Sequence, residues 1–484
     1  MPTAAAPERR GWLIPAAAAV LAITAARVGL LWFNRMDLFV DEAQYWLWGQ
    51  ELAFGYYSKP PMIAWVIRAV TDLAGSDAPF WVRLPAPLFH GATALILGWI
   101  AARLWGARAA VWVALGYVTL PLVAVGSILV STDTIMFPVL ALALGFWLIV
   151  LERGGRGWAI AAGAALGLAF LSKYAAIYYV ICAALAALIL PAARPRASAA
   201  LAALAAFALV ISPNVVWNIA NGLTTVQHTL DNADWVRDPA TRAGLNLAGL
   251  AEFLASQFAV FGPVLFAALV AMLLRARQAD PSQRLMLVFS LPILVIVSAQ
   301  ALLSGAYANW AAAAYLAGTL GVLPWLSSRW RVASFAVNGT VALALPVLGV
   351  FADTSLPGGR LPLERYVGLD EMTAEIVATA RGSGHGIVVA EDRDLLADVF
   401  YSGRESGLTF HAVPPKGRAP HHYALKYPLP EDLAGEVLFA TFGAAPACAP
   451  GAAPIATIAP QRGAYRGDRV SLYAVPAGCW AGTR

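Results

Sequence analysis

Charged residues are scarce in this 484-residue chain. Asp, Glu, Lys and Arg make up only 13% of it and 60% of the residues are hydrophobic, whereas a soluble domain carries roughly a quarter charged residues. So few charges cannot cover the whole chain with a water-soluble surface. Apolar stretches of about 20 residues, the length of a membrane-spanning helix, recur between residues 12 and 351. The bilayer is therefore predicted to be the solvent for residues 1–351.

Cysteine is also rare, since the chain contains only three. Cys182 lies in an apolar stretch, whereas Cys448 and Cys479 lie in the more polar region after residue 351. Three cysteines are too few for a zinc site or a disulfide framework. Cys448 and Cys479 can pair if their region lies outside the cytoplasm.

Residues 352–484 differ from the rest, with charges, glycines and prolines between short apolar runs. Strand, helix and strand patterns follow one another at 386–390, 392–401 and 408–413. A small water-soluble α/β domain is predicted there. The net charge of +5 does not indicate a nucleic-acid partner, because basic residues in a membrane protein first report its topology.

Eleven membrane spans are predicted, and arginines occupy alternate connections between them. The spans are 12–32, 84–102, 109–130, 134–151, 158–171, 175–191, 198–216, 248–273, 285–304, 308–326 and 331–350. The arginines are Arg9, Arg10, Arg103, Arg108, Arg153, Arg156, Arg194, Arg196, Arg275, Arg277, Arg284, Arg329 and Arg331. Positive residues favour the cytoplasmic side. The N-terminus is therefore predicted to be cytoplasmic, with 12–32 as an uncleaved anchor, and residues 352–484 to lie outside.

Residues 158–190 are too short for two full crossings, because as a helix they rise only about 50 Å. Two short helices meeting at residues 172–174 would fit, which places Lys173 at membrane depth. A charge there is tolerated only inside protein or beside a water-filled cavity. This stretch therefore indicates a functional site.

Two predicted outer loops, 33–83 and 217–247, are long enough to carry function. The first is rich in aromatic residues, which favour the headgroup level of a membrane. We expect it to form two short helices, separated by Lys59 and the two prolines that follow it.

Acidic candidates lie in the first outer loop and near the fourth span. Asp41 and Glu42 have two interpretations. They are an N-cap aspartate and a first-turn glutamate of a helix, or they are carboxylates that orient or deprotonate an acceptor hydroxyl. Both interpretations can hold together. Asp133 is either the cap of the following helix or a second acidic residue on the same side of the membrane as Asp41.

The basic candidates also have two interpretations each. Lys59 is either an interfacial lysine attracted to anionic headgroups or a point charge that holds a phosphate. Arg83 and Lys173 are further cationic candidates. His228, in the second loop, is a solvated histidine or a metal ligand.

Seven short segments together resemble a known family. They are DEAQYW at 41–46, GYYSKPP at 55–61, VRLP at 82–85, STD at 131–133, LSKY at 171–174, SPNVVWN at 212–218 and QFAVFGP at 257–263. In this order they resemble the membrane-embedded GT-C glycosyltransferases related to protein O-mannosyltransferases and to the lipid A aminoarabinose transferase. The resemblance covers roughly residues 10–330.

This resemblance implies an inverting glycosyltransferase in the inner membrane of a bacterium, with its active site facing the periplasm. It would move a hexosyl or pentosyl group from a polyprenyl-phosphate donor to lipid A, lipopolysaccharide, another glycan or a protein. Asp41, with Glu42, would be the acceptor-side carboxylate and Asp133 a second acidic residue of the site, while Lys59 would contact the donor phosphate. Ser58 stands where the aminoarabinose transferase has a glutamate ligand, so a divalent metal stays an open alternative.

Physical reasoning points to the same kind of donor. A site outside the cytoplasm has no ready pool of nucleotide sugars, so it needs an activated donor anchored in the membrane. A departing phosphate is a weak base, so cationic stabilisation of its charge matters more than its protonation. Lys59, Arg83 and Lys173, with Tyr174 beside it, are the residues predicted to bind that phosphate.

A transporter or flippase of lipid-linked sugars is the alternative function. Transporters often contain paired repeats with interrupted helices, and no such repeat is found in this sequence. A scaffold or sensor with an outer binding domain is a third class. It would not need Asp41 or Lys173, so alanine variants at these positions would distinguish it from an enzyme.

Overall fold

The structure is a computed structural model that describes residues 11–232, 244–357 and 359–480. Its chain divides into two compact units. The first contains Met1–Trp32, Ala53–Val66 and Arg83–Val347, and the second contains Phe33–Leu52, Ile67–Val82 and Leu348–Arg484. The second unit thus combines the predicted soluble tail with two segments of the outer loop 33–83. Arg9 and Arg10, and residues 233–243 of the second outer loop, lie outside the described residues.

The helices of the first unit occur at all eleven predicted spans. They are α1 (Leu13–Trp32), α3 (Met62–Ala74, shared with the second unit), α5 (Pro85–Trp105), α6 (Ala107–Val118), α7 (Pro121–Val125), α8 (Thr132–Arg153), α9 (Arg156–Ser172), α10 (Tyr178–Ile189), α11 (Ala197–Ala220), α12 (Thr224–Asn232), α13 (Leu247–Val260), α14 (Pro263–Leu274), α15 (Pro281–Leu303), α16 (Ala314–Trp325) and α17 (Ser328–Val350).

Six helices in the described part of the chain are long and apolar enough to cross a membrane, and one bent pair makes a possible seventh. The six are α1, α8, α11, α15, α17 and the stretch Pro79–Trp105, which contains α5. Helices α6 and α9, and α10 with the 3₁₀ turn before it, are shorter. Six or seven spans do not test the count of eleven, because paired short helices can also cross together.

Two predicted spans are broken by proline. Span 109–130 is not one helix, since α6 ends at Val118 and Pro121 begins the short helix α7. Span 248–273 is bent by 115° between α13 and α14. At that bend Gly262 has φ +91° and Pro263 starts α14. Proline lacks the N–H that would continue the preceding helix, and glycine adopts a positive φ without strain.

Close packing holds α9 against α11. A Cβ atom added at Gly163 would lie 2.0 Å from the backbone oxygen of Ala203, and one added at Gly167 would lie 2.7 Å from the Val210 side chain. Small residues four apart let two helix backbones approach closely, which is a common way for helices to associate in membranes. Helix α9 also packs on α8, whereas α10 packs on α15.

The second unit combines helices with a mixed sheet. Its helices are α2 (Val40–Gln50), α4 (Pro79–Arg83, whose last residue falls in the first unit), α18 (Leu369–Gly382), α19 (Arg393–Ser402) and α20 (His422–Lys426). Its strands are β1 (Ile387–Ala390), β2 (Thr409–Ala412), β3 (Glu436–Thr441), β4 (Ala456–Ile458) and β5 (Val470–Pro476). The strand, helix and strand pattern predicted for residues 386–413 is confirmed.

The sheet has the strand order β2-β1-β3-β5-β4. Strand β1 is parallel to β2 and β3, and β5 is antiparallel to β3 and β4. Helix α19 connects the parallel pair β1 and β2, packs on α18 and also packs on α2. The Cys448–Cys479 disulfide closes the last part of this unit, with the two Cα atoms 5.3 Å apart.

Candidate active site

An ion pair joins two sequence-predicted residues of the first unit. The Lys173 Nζ donates to Asp133 Oδ2 at 2.7 Å, and the Asn309 Nδ2 donates to the same oxygen at 3.1 Å. Asp133 is buried, with 4% of its surface exposed. A carboxylate buried in this way is stabilised by its opposite charge and by the additional hydrogen bond.

Asp133 is not the cap of α8, which corrects one interpretation of the sequence. Ser131 is the N-cap residue, because the backbone N–H of Thr134 donates to its Oγ at 3.3 Å. Asp133 is instead the second residue of the helix, where a negative charge is favoured by the helix dipole. Its carboxylate is thus available to pair with Lys173.

Lys173 reaches Asp133 because α9 stops one residue earlier. Helix α9 ends at Ser172, Lys173 is extended, and a 3₁₀ turn (Tyr174–Ile177) follows. The break lies where the short length of residues 158–190 predicted it.

A series of buried, hydrogen-bonded side chains supports the first turn of α8. The His90 Nε2 lies 3.3 Å from the Thr134 Oγ1, and the His90 Nδ1 lies 3.0 Å from the Tyr117 hydroxyl. His90 is itself buried. The residue next to Asp133 is therefore held from the side by α5 and α6.

Tyr174 takes part in a second network on α11. Its hydroxyl donates to Asn214 Oδ1 at 3.1 Å, and the Asn218 Nδ2 donates to the Tyr174 hydroxyl at 3.2 Å. Asn214 in turn donates from Nδ2 to the Phe54 carbonyl oxygen at 2.6 Å. One asparagine thus binds both the residue after Lys173 and the loop that carries Lys59.

The Lys59 loop has further supports. The Tyr56 N–H donates to the Lys59 carbonyl oxygen at 3.1 Å, and the Thr225 hydroxyl of α12 donates to the Tyr56 carbonyl oxygen at 2.6 Å. A Cβ atom at Gly55 would lie 2.4 Å from the Trp217 ring, so only glycine fits there without displacement. These contacts hold Lys59 in a fixed turn.

Arg83 ends α4 and is almost completely buried, with 1% of its surface exposed. The structure therefore brings Asp133 together with Lys173 and links Tyr174 to the Lys59 loop. The phosphate-binding role of Arg83 stays a prediction.

Asp41 and Glu42 lie in the second unit, on α2. Asp41 is not the N-cap, as one interpretation expected, because α2 already begins at Val40 and the cap position belongs to Phe39. Glu42 is the residue that satisfies the helix start, since its Oε2 accepts the Phe39 N–H at 3.1 Å. Its role as a first-turn glutamate is confirmed.

Asp41 is held by an arginine from α19. Arg393 donates to the Asp41 carboxylate from Nη2, and its Nε donates to Gln44 Oε1 at 3.1 Å. Burial opposes the charge on Arg393, but Asp41 outweighs that effect and raises the pKa of the guanidinium. About half of the Asp41 side chain, 47%, is nevertheless exposed, so it is accessible to a ligand.

His228 lies on α12 rather than in a loop, and its ring centre lies 5.1 Å from that of Tyr57. The second predicted loop, 217–247, is therefore helical up to Ala220 and again over Thr224–Asn232. Within the described ranges, no three His, Cys, Asp or Glu side chains come close enough to share a metal ion.

Sequence reasoning missed three residues of these networks. Asn309 lies at the start of the predicted span 308–326 and received no role, and Arg393 lies in a segment identified only as a helix. Asn214 belongs to one of the resembling segments but received no role. An unusual asparagine in an apolar span was the available signal, because buried polar groups need partners.

Comparisons with known proteins agree with this architecture. The family model described as dolichyl-phosphate-mannose-protein mannosyltransferase matches residues 58–217. The lipid A galacturonosyltransferase RgtD of Rhizobium johnstonii is 40% identical over 469 residues, which cover 96% of this chain and 98% of that protein.

Two solved structures share the fold. The crystal structure of ArnT from Cupriavidus metallidurans in the apo state has a TM-score of 0.63 and 15% identity, covering 98% of this chain and 99% of that one. Its complex with undecaprenyl phosphate has a TM-score of 0.62 and 16% identity, covering 96% and 98%.

The fold and the buried ion pair define a multi-pass membrane protein with a polar site. The chain belongs to the membrane-embedded GT-C glycosyltransferases, and the family predicted from the seven segments is confirmed. It is a glycosyltransferase, and this membership favours the enzyme over a transporter or flippase.

Proposed function

We propose that this glycosyltransferase moves a uronic acid, galacturonic acid first among the candidates, from a polyprenyl-phosphate donor to lipid A. One observation carries the proposal. The chain is 40% identical to a lipid A galacturonosyltransferase over almost the full length of both proteins. An apolar cavity of about 240 Å³, walled by α8, α9, α10 and α11, gives additional support, because it offers space for part of a lipid chain.

The Asp133–Lys173 pair is proposed to prepare the donor-phosphate site. Asp133 keeps the ammonium oriented before substrate arrives, and the donor phosphate then supplies a second negative partner. As the bond to the sugar breaks, negative charge grows on the phosphate, and a preorganised cation stabilises that charge most in a shielded site. Lys59 and Arg83 are proposed as further phosphate contacts, and Tyr174 as a hydrogen-bonding one.

Transfer is proposed to be a single displacement that inverts the sugar carbon. An acceptor oxygen forms the new bond to C1 while the bond from C1 to the phosphate oxygen breaks, and the phosphate leaves with the electron pair. If the acceptor is a hydroxyl, Asp41 accepts its proton. If the acceptor is a phosphate oxygen, no proton needs removal and Asp41 positions the acceptor instead.

The site is proposed to face the periplasm of a bacterial inner membrane, with the N-terminus in the cytoplasm and eleven spans. Arginines in alternate connections support this orientation. The Cys448–Cys479 disulfide supports it independently, because disulfides persist in oxidising compartments such as the periplasm.

A transfer assay with purified protein tests the proposal. The donors are polyprenyl-phosphate galacturonic acid and, for comparison, polyprenyl-phosphate mannose and aminoarabinose, with lipid A as acceptor. We expect turnover with the uronic acid donor, a loss of about a hundredfold or more in Lys173→Ala, and unchanged turnover in the matched control Lys416→Ala, an exposed lysine of the second unit.

Product analysis completes the test. An anomeric configuration opposite to that of the donor supports a single displacement, whereas retention contradicts it. If the wild type does not use the galacturonic acid donor, the proposed donor is wrong, whatever it does with the two comparison donors.

A further inference from the structure

A polar cavity of about 590 Å³ lies within the second unit. Its walls come from the start of α2, from the start of α19, from α18 with the turn before it, and from the segment 464–469 before β5. Small-molecule sites have volumes of roughly 300–1,000 Å³, so the cavity has the size of a ligand site. The site described above does not use it.

The cavity is lined by charged side chains of the kinds that bind sugars. Asp392, Asp394 and Asp468 supply carboxylate oxygens, and Arg365 and Arg469 supply guanidinium donors. A sugar ring presents hydroxyls that both donate and accept, and charged partners make the strongest hydrogen bonds to them.

Aromatic rings stand beside these charges. Phe39 and Tyr465 line the cavity with Phe442, whose ring centre lies 5.7 Å from that of Tyr465. The Arg365 guanidinium lies over the Phe39 ring at 4.6 Å from its centre. Such rings offer flat apolar surfaces against which the C–H face of a sugar can pack. Carboxylates and guanidiniums together suit the hydroxyl and amino groups of a sugar ring.

The walls are held in place before any ligand binds. The Tyr465 hydroxyl donates to the carboxylate of Asp398, which is buried in α19. The Ala464 N–H donates to the Val367 carbonyl oxygen at 2.8 Å, and the Asp468 N–H donates to the Tyr465 carbonyl oxygen at 3.0 Å. A preorganised wall reduces the entropy lost on binding.

The cavity shares its elements with Asp41. Val40 lines the cavity and precedes Asp41 on α2, and Arg393, which binds Asp41, lies between the lining residues Asp392 and Asp394 on α19. Asp41 is not a lining residue, but α2 and α19 connect the cavity wall directly to the carboxylate to which acceptor chemistry is assigned.

We infer that this cavity binds the saccharide part of the acceptor and so presents the acceptor to Asp41. The inference rests on the proposed function for the acceptor's identity. It adds a recognition site formed by the second unit, distinct from the donor-phosphate residues.

The test uses Asp468→Asn in the full-length protein, with Asp432→Asn, an exposed aspartate outside the cavity, as the matched control. Losing one charged hydrogen bond to a sugar should raise KM for lipid A about tenfold, with kcat and the donor KM nearly unchanged. Titration of the purified protein with deacylated lipid A, a water-soluble saccharide, should show a similar weakening in Asp468→Asn alone. Arg469→Gln is a second variant in case the first lowers the melting temperature.

The outcomes separate the two claims. If the wild type transfers sugar but both cavity variants keep the wild-type acceptor KM, the cavity is not an acceptor site. If the wild type does not bind the deacylated saccharide, the inference is also overturned. If the saccharide binds through the cavity but no transfer to lipid A occurs, the inference stands and the proposed reaction fails.

Discussion

The Asp133–Lys173 pair can be tested by a double-mutant cycle. The variants are Asp133→Asn, Lys173→Met and the combination of both. Methionine keeps an unbranched chain of similar length, and asparagine keeps the shape of aspartate, so each change removes charge with little change in volume.

The magnitude follows from the shielding of the pair. The Lys173 and Asp133 side chains are 17% and 6% exposed and their charged atoms lie 2.7 Å apart. Removing one partner of a buried pair costs roughly 3–5 kcal/mol because the other charge is left uncompensated. We expect about 3 kcal/mol for Asp133→Asn, since Lys173 retains some contact with water. The double variant leaves no charge, so the two single effects should not add, and the coupling should be about 2 kcal/mol.

Stability is measured by unfolding of the purified protein in detergent, and transfer is measured separately. Arg103 and Glu152, an ion pair of the same unit with side chains 17% and 40% exposed, give a matched control cycle through Arg103→Met and Glu152→Gln. Exposed pairs typically contribute below about 1 kcal/mol. A coupling for Asp133 and Lys173 no larger than that of the control would refute the reasoning. The double variant should still be inactive, because it lacks the cation that stabilises the leaving phosphate.

Three further predictions concern the second unit and the Lys59 loop. Burial and, to a lesser extent, the nearby Asp370 carboxylate raise the pKa of Asp37 to about 6. The folded state therefore holds this proton at pH values where the unfolded chain has lost it, so stability should rise by about 2 kcal/mol as pH falls from 7 towards 4. Asp37→Asn should remove that part of the pH dependence in melting curves. Cys479→Ser should destabilise the second unit by about 3 kcal/mol, because the Cys448–Cys479 disulfide joins residues 31 positions apart. Reduction by dithiothreitol should destabilise the wild type by the same amount and leave the variant unchanged. Gly55→Ala should lower transfer at least tenfold, because its Cβ would meet Trp217 and displace the turn that carries Lys59. The control Gly29→Ala, where a Cβ meets nothing within 4 Å, should leave transfer unchanged. Equal activity of the two variants would show that the turn is not constrained.

Local sequence was a good guide wherever a short-range rule decided the structure. The break after Ser172 followed from the length of one apolar stretch, and the α19 region followed from its strand, helix and strand pattern. The same reasoning misplaced the start of α2, because Asp41 has the chemistry of a cap while the chain enters the helix two residues earlier, at Phe39. Tertiary context can shift the first or last residue of a helix by one or two positions.

Composition by itself determined that this chain is a membrane protein, because hydropathy is a property of the sequence, and the order of seven short segments was enough for a resemblance to the GT-C glycosyltransferases. Only the tertiary structure decided which charges meet. Asp133 pairs with a lysine 40 residues away, and Asp41 with an arginine 352 residues away. Ion pairs act over a few ångströms, and no local pattern records which distant side chains folding brings within that distance.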